Sequence, residues 1–229
     1  MGSKNRIAKG ILAIMMPEIE KYGKYVEPFC GGCNMIDKVS PRIKRWANDS
    51  NRYLIALLSR GAQSLSLPTT ISKEEYDAVR THKNDYPDWY VGFVGFICTF
   101  NGKFFGGYGR NNVLRGNGKI ENFQKEHINN FLTQCRYLKG IDFTNENYKD
   151  LDITDSVIYC DPPYAGATKY KDDLNHDEFW NWCREMSMKN KVYVSEYHAP
   201  DDFRCVWQKT INNSLSGKCR KAVERLYTI

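Results

Sequence analysis

Apolar and polar residues follow one another along most of the chain with the periods of strands and amphipathic helices. Apolar side chains recur every three or four positions in the segments predicted as helices, which are residues 4–21, 34–39, 50–60, 72–83, 122–138 and 176–188. Short apolar runs predict strands at 25–29, 43–47, 141–143, 157–160 and 191–197. Two further runs, 205–211 and 223–229, predict a terminal antiparallel hairpin. The pattern of 89–100 fits a buried helix and a strand equally well.

Strands that alternate with helices predict an α/β protein with a mostly parallel sheet and helices on both faces. Counting the hairpin, we expect a Rossmann-like sheet of about seven strands. The stretch 61–130 interrupts the alternation and is too long for a simple crossover. It is therefore predicted to be a small, mainly helical insert that carries partner specificity. The predicted main domain is 1–60 together with 131–229.

Composition narrows the class of protein. With 229 residues, 41% of them hydrophobic, the chain can form one domain with an insert. No apolar run has the length of a membrane span and no secretory signal is present, so we expect a cytoplasmic protein. The eight cysteines are then expected to be reduced. Cys30-x-x-Cys33 lacks a second cysteine pair or a histidine pair at ligand spacing, so no metal is predicted.

Asp161, Pro162, Pro163 and Tyr164 directly follow the predicted strand 157–160. Ligands of open α/β sheets bind at the carboxyl ends of strands. The prolines fix φ and lack a backbone N–H, which stiffens the loop. Asp161 and the Pro162 carbonyl supply two acceptors, and the Tyr164 ring supplies an apolar wall. This set suits a planar nucleobase with an exocyclic NH2 group, although a rigid capped turn would have the same sequence.

A second candidate site is Glu27-Pro28-Phe29-Cys30-Gly31-Gly32, after the first predicted strand. Glycines at this position let the backbone approach a ligand closely. Asp49 stands at the end of the next strand, about 20 residues further on, where an acidic side chain can accept from ribose hydroxyls. The full G-x-G-x-x-G pattern is absent, and Asp49 could equally cap the next helix.

A basic segment lies inside the predicted insert. Residues 103–119 read KFFGGYGRNNVLRGNGK, with four basic residues, three aromatic rings and no acidic residue. This composition suits a loop held against phosphates, with rings and amides free to contact bases. The net charge of +6 permits an anionic partner, although a solvated basic loop remains the alternative.

These segments together resemble the Dam-type, or D12 class, DNA adenine-N6 methyltransferases of phages and bacteria, over most of the chain. The departures are Cys33 and Asn34, which stand where the family often has a third small residue, and a short recognition insert. The resembling segments are Gly2-Ser3-Lys4 (cofactor lysine), 27–32 (glycine loop), 47–51 (ribose turn), 100–103 with 108–110 (near DNA), 161–164 (catalytic tetrapeptide) and 192–197 (the strand beyond it).

The resemblance implies a Rossmann-like methyltransferase fold, S-adenosylmethionine as cofactor, and methyl transfer to N6 of an adenine flipped out of specific double-stranded DNA sites. The implied catalytic residues are Asp161, Pro162, Pro163 and Tyr164. The implied cofactor-binding residues are Lys4, Glu27, Phe29, Gly31, Gly32, Asp49 and Asp161. The implied DNA-binding residues are Asn101, Lys103, Tyr108, Arg110 and Arg115. Asn145 and Tyr148 are further candidates for the adenine pocket of the cofactor.

Several alternatives stay open at this stage. Cytosine N4 is another exocyclic amine with nearly the same chemistry, and RNA could replace DNA. A non-catalytic DNA-binding module would not need an intact Asp161 and Asp49. A nicotinamide oxidoreductase would leave residues 161–164 without a role. We expect a monomer or weak dimer without an obligate protein partner, in a bacterial cell or a phage-infected host; a paired restriction enzyme is left open.

Overall fold

The computed structural model describes residues 4–64, 66–111, 113–114, 116, 118, 120–163, 174–213 and 220–229. Within these ranges no helix is long and apolar enough to cross a membrane. The α-helices are α1 Ala8–Tyr22, α2 Arg52–Ala62, α3 Lys73–Thr81, α4 Asp88–Gly92, α5 Phe123–Leu138 and α6 His176–Ser187. The strands are β1 Lys24–Glu27, β2 Lys44–Asn48, β3 Val113–Leu114, β4 Ile120–Glu121, β5 Ile141–Thr144, β6 Val157–Cys160, β7 Lys191–Glu196, β8 Arg204–Asn213 and β9 Arg220–Thr228.

The main sheet has seven strands in the order β5-β2-β1-β6-β7-β9-β8. β1 pairs in parallel with β2 and β6, and β6 with β7, whereas β9 pairs antiparallel with both β7 and β8. This confirms the predicted α/β, Rossmann-like fold with a terminal antiparallel hairpin. The strand order reverses between β1 and β6, and that switch point is where open α/β sheets bind their ligands.

The chain forms two compact units, and the first comprises Lys4–Asn48 and Glu146–Ile229. Its core joins apolar residues of the central strands to an aromatic face of α6. Apolar strand residues such as Ile158 and Val192 are fully buried because helices cover the sheet. The aromatic members from α6 are Phe179, Trp180 and Trp182. This core fixes the ends of β1, β6 and β7.

The second unit comprises Asp49–Asn145 and is mainly helical. α2 and α4 approach closely because Gly92 has no side chain, since a Cβ there would overlap the Tyr53 carbonyl. α3 begins at the N-cap Ser72, whose hydroxyl accepts from the Glu75 amide at 3.1 Å, as the Ser72-x-x-Glu75 capping box in the sequence predicts. Gln124 is fully buried, and its carboxamide oxygen accepts from the Ile71 amide at 3.1 Å.

Local structure differs from the sequence prediction in three places. Residues 34–39 contain only a 3-10 turn at Ile36–Lys38, because three residues are too few for an α-helix. The ambiguous segment 89–100 is helical, with α4 followed by a π-helical turn at Phe93–Ile97. The short antiparallel pair β3–β4 was absent from the prediction, since its two-residue strands leave no periodic signal.

Candidate active site and basic loop

Lys4, Asp161 and Glu224 meet at the carboxyl edge of the sheet. The Lys4 ammonium lies 3.0 Å from the Asp161 carboxylate and 3.1 Å from that of Glu224. Lys4 comes from the 3-10 turn before α1, Asp161 follows β6 directly, and Glu224 is on β9. Arg225 is the register partner of Glu196 at the end of β7, so Glu224 stands just beyond that strand end. The Lys4 and Glu224 side chains are 10% and 9% exposed.

The charges of this trio are coupled. Burial lowers the pKa of Lys4, but the nearby carboxylates of Asp161 and Glu224 more than offset burial, so the pKa is raised. The ammonium therefore keeps its proton at neutral pH.

Glu27 ends β1 beside this trio and is 2% exposed. A carboxyl oxygen of Glu27 accepts a hydrogen bond from the Tyr25 hydroxyl at 2.9 Å. Burial and the negative charges of Asp37 and Asp161 raise the pKa of Glu27 well above its ordinary value, against the opposite effect of the Tyr25 hydrogen bond. A buried acid with such a shift, at a strand end of the switch point, is typical of functional sites.

The glycine turn after β1 is held against the end of β2. The Cys30 amide donates to the Asn48 carbonyl at 2.8 Å, and the Asn48 side chain donates to the Pro28 carbonyl at 3.1 Å. Gly31 has φ +48°, a conformation that favours glycine. A Cβ on Gly32 would lie 2.9 Å from the side-chain amide nitrogen of Asn34. Gly31 and Gly32 therefore place two residues without side chains after β1, and their predicted contact with the cofactor stays a prediction.

Phe29 and Tyr148 are in ring contact in the first unit. The Phe29 ring centroid lies 5.0 Å from that of Tyr148 and 5.7 Å from that of Phe179. Phe29 is partly buried, whereas Tyr148 is 8% exposed. The structure therefore packs the predicted cofactor-binding ring of Phe29 onto the aromatic core, with one part open to solvent.

Asp49 follows Asn48 in the chain and is the first residue of the second unit. Its carboxylate accepts from the Asn51 amide at 3.0 Å, and its carbonyl accepts from the Asn145 side chain at 2.7 Å. Asn51 in turn caps α2. Asp49 thus organises the turn before α2, and its predicted role toward ribose stays a prediction.

The predicted catalytic tetrapeptide is described as far as Pro163. Asp161 is partly buried and Pro162 is buried. Tyr164 lies outside the described residues. On the strand before the motif, the Tyr159 hydroxyl is hydrogen-bonded to that of Ser195 on β7 at 2.8 Å. This buried hydrogen bond ties the end of β6 to β7, and it thereby holds the backbone from which Asp161 begins.

The basic loop is anchored through its aromatic rings. The Phe105 amide donates to the Gly95 carbonyl at 2.9 Å, and the Tyr108 hydroxyl donates to the Ile71 carbonyl at 2.9 Å. The rings of Phe104 and Phe105 pack against Gly95, where a Cβ would overlap Phe104. The rings of Phe104, Phe105 and Tyr108 are partly buried by these contacts, and their predicted contact with bases stays a prediction.

The predicted DNA-binding residues occupy different environments. Lys103 and Arg110 are exposed, and Asn101 belongs to the 3-10 turn Phe100–Gly102. Tyr108 is partly buried, with its ring centroid 5.5 Å from that of Tyr76. Arg115 lies outside the described residues.

Sequence reasoning did not select Glu224 or Glu196. Glu196 is 3% exposed, and its carboxylate accepts from the Tyr197 amide at 2.7 Å. Glu196 belongs to the segment 192–197, which resembles the family only as a strand, whereas Glu224 belongs to no recognisable motif and is 220 residues from its partner Lys4. Among the described residues, no group of three His, Cys, Asp or Glu side chains could hold a metal ion.

Several solved structures are similar to the chain. A proposed methylase from Haemophilus influenzae has 11% identity and a TM-score of 0.45, covering 100% of this chain and 90% of that chain. The rRNA methyltransferase aviRa from Streptomyces viridochromogenes has 10% identity and a TM-score of 0.46, covering 98% and 84%. A proposed methyltransferase in complex with SAH has 11% identity and a TM-score of 0.45, covering 100% and 52%. At these values the similarities carry no argument about the reaction.

The family model of D12 class N6 adenine-specific DNA methyltransferases matches residues 1–228. The match spans all the segments that carried the resemblance and so confirms it. S-adenosylmethionine is the cofactor, as the sequence predicted. The chain therefore belongs to the D12 class of N6 adenine-specific DNA methyltransferases and is an S-adenosylmethionine-dependent methyltransferase.

Proposed function

We propose that the chain transfers a methyl group from S-adenosylmethionine to N6 of an adenine flipped out of double-stranded DNA. The observation that carries the proposal is the position of Asp161. Its carboxylate follows β6 at the switch point of the sheet and lies 3.0 Å from a buried ammonium. The name of the matching family supports adenine N6 as the acceptor atom.

S-adenosylmethionine supplies a methyl group on a sulfonium, which needs only an aligned nucleophile. The lone pair of adenine N6 is delocalised into the ring, so the amine is a weak nucleophile. Asp161 and the Pro162 carbonyl accept the two N6 hydrogens and favour a lone pair localised on nitrogen. Alignment and electrostatics then supply most of the catalysis. After transfer the surplus proton of N6 passes to Asp161 or to water.

Other residues of the protein bind the cofactor and the DNA. The backbone at Gly31 and Gly32, with Phe29 and Glu27, lines the cofactor, and Asp49 accepts from ribose. Lys103 and Arg110 neutralise DNA phosphates, with Asn101, Tyr108 and Arg115 as further DNA-binding candidates. A base inside a duplex is out of reach, so the adenine must be extruded, with Tyr164 stacking on it.

The test is incubation of purified protein with S-adenosylmethionine and mixed-sequence duplex DNA, followed by nucleoside mass spectrometry. We expect N6-methyladenine with the wild-type protein and none with Asp161→Asn, which keeps the shape of the side chain but removes its charge. The same assay on matched RNA separates the two nucleic acids. N4-methylcytosine, or methylation of RNA alone, would contradict the proposed substrate.

Base flipping needs its own measurement once a methylated site is known. Replacing the target adenine by 2-aminopurine makes extrusion visible, because the fluorescence of this base rises when it leaves the stack. We expect the rise on addition of protein at the target position and none when the analogue sits two positions away. Equal fluorescence at both positions would contradict flipping.

A further inference from the structure

We propose that Glu224 is a positioning residue for methyl transfer, acting on Asp161 through Lys4. This inference rests on the proposed function, in which Asp161 accepts hydrogens of the target amine. Glu224 is on β9, distant in sequence from every motif, and its carboxylate lies 3.1 Å from the same ammonium that contacts Asp161 at 3.0 Å.

The burial of Lys4 and Glu224 points to a role in the reaction rather than in stability. Counted over the whole residue, Glu224 is 7% and Lys4 is 9% exposed. Removing charges from water is costly, and buried ion pairs are often no more stabilising than apolar side chains of similar size. A third charged side chain on an existing pair therefore adds desolvation cost. We infer that Glu224 offsets this desolvation cost by controlling the geometry and the charge of Asp161.

Asp161 and Glu224 share the Lys4 ammonium, and this sharing determines how Asp161 can act. An ammonium has three hydrogens, and one directed at Glu224 is unavailable to Asp161. Without the Glu224 charge, the ammonium would pair more strongly with Asp161 and compete with the N6 hydrogens for its oxygens. The chemical step would then slow. The change leaves the proposed cofactor contacts of Gly31 and Gly32 and the proposed DNA contacts of Lys103 in place, so both binding constants should change little. Glu224 is therefore expected to act on kcat.

The pH profile provides a readout that a purely structural role would not change. In the described part of the chain, the Lys4 ammonium contacts the carboxylates of Asp161 after β6 and Glu224 on β9, and its charge also lowers the pKa of the Tyr197 phenol after β7. Burial lowers the pKa of Lys4, and Glu224 is one of the two carboxylates that raise it. Removing the Glu224 charge lowers this pKa, so the ammonium would lose its proton at lower pH. The pH above which kcat falls should therefore be lower in the Glu224 variant than in the wild-type protein.

The experiment compares wild type, Glu224→Gln and, as a control of equal charge change, Glu20→Gln at an exposed position of α1. Single-turnover rates, KM for DNA and Kd for S-adenosylmethionine are measured across pH, and thermal unfolding reports on the fold. We expect Glu224→Gln to lower the rate about tenfold with both binding constants within about twofold. Glu20→Gln should match wild type, and Glu224→Asp should recover part of the rate.

A double-mutant cycle with Lys4→Gln tests the route of action. If Glu224 acts through Lys4, Glu224→Gln has no further effect in the Lys4→Gln background. A wild-type rate in Glu224→Gln, or an effect of this change that persists without Lys4, would overturn the inference. Should the acceptor be another exocyclic amine, the same rates are compared on that acceptor, so the proposed substrate can fail while this inference holds.

Discussion

The side-chain amide of Asn48 donates a hydrogen bond to the carbonyl of Pro28 at 3.1 Å and joins the glycine turn after β1 to the end of β2. The same amide donates to the Glu146 carbonyl at 3.0 Å, and its oxygen accepts from the Glu146 amide at 2.9 Å. Asn48 is fully buried, so its polar atoms are satisfied by three backbone groups of the first unit. This single residue therefore fixes the turn on which cofactor binding is proposed to depend.

Asn48→Ala leaves the buried Pro28 carbonyl and two partly buried backbone groups of Glu146 without their partner. We expect a loss of roughly 2–4 kcal/mol in the free energy of unfolding, from the desolvation cost of those groups. The loosened turn should also raise the Kd for S-adenosylmethionine. Urea unfolding and titration calorimetry measure the two effects. Asn181→Ala, at an exposed position of α6, is the control and should change neither. An unchanged Kd would separate the turn from cofactor binding.

Glu27→Gln should stabilise the protein at neutral pH. Burial raises the pKa of Glu27 well above its ordinary value, so the folded state holds a proton that the unfolded state releases. The wild-type protein then loses stability as pH rises above the unfolded pKa of about 4.3, and glutamine removes that loss. Thermal unfolding at pH 5 and pH 8 tests this.

The expected gain of the Glu27 variant over wild type is larger at pH 8 than at pH 5. Glu185→Gln at an exposed position of α6 should show no such dependence. The same gain at both pH values would mean that proton uptake by Glu27 is not its cause.

Gly95→Ala should disturb the anchoring of the basic loop. A Cβ at this position would overlap the Phe104 ring and lie 2.8 Å from the Phe105 ring. Overpacking of this kind costs about 1–3 kcal/mol, and the displaced loop should bind DNA more weakly. Gly116→Ala is the matched control, because nothing lies within 4 Å of a Cβ there. Unfolding midpoints and DNA binding by anisotropy are measured for both variants. If Gly95→Ala and Gly116→Ala have the same midpoint and the same affinity for DNA, packing at Gly95 does not anchor the loop.

Removing the charges of Lys103 and Arg110 tests the proposed phosphate contacts. Both side chains are exposed, and for each phosphate that is no longer neutralised the slope of log K against log salt should flatten by about 0.9. Arg136→Gln with Lys139→Gln, at exposed positions near the end of α5, removes the same charge as a control. Binding is measured at several salt concentrations. A slope equal to that of the wild type would move the DNA surface elsewhere.

The extent to which the site is predictable differs between its parts. Gly31, Gly32 and Asp161 could be found from sequence because each lies at a strand end that local pattern predicts. The packing of Tyr108 could not be predicted, since its ring and hydroxyl contact Tyr76 and the Ile71 carbonyl only in the folded unit. Composition reports that a loop is basic and aromatic, whereas packing decides which of its side chains face solvent.

Sequence was sufficient to predict the succession of strands and helices, the mostly parallel sheet, the family and the location of the motifs at strand ends. These follow from local periodicity, turn chemistry and short motifs. The position of Lys4 between Asp161 and Glu224 became visible only in the folded chain. That contact joins residues 220 positions apart and depends on the antiparallel register of β9 against β7. The hydrophobic pattern of a strand limits its register, but which strand β9 pairs with beyond its own hairpin is decided only when the sheet assembles.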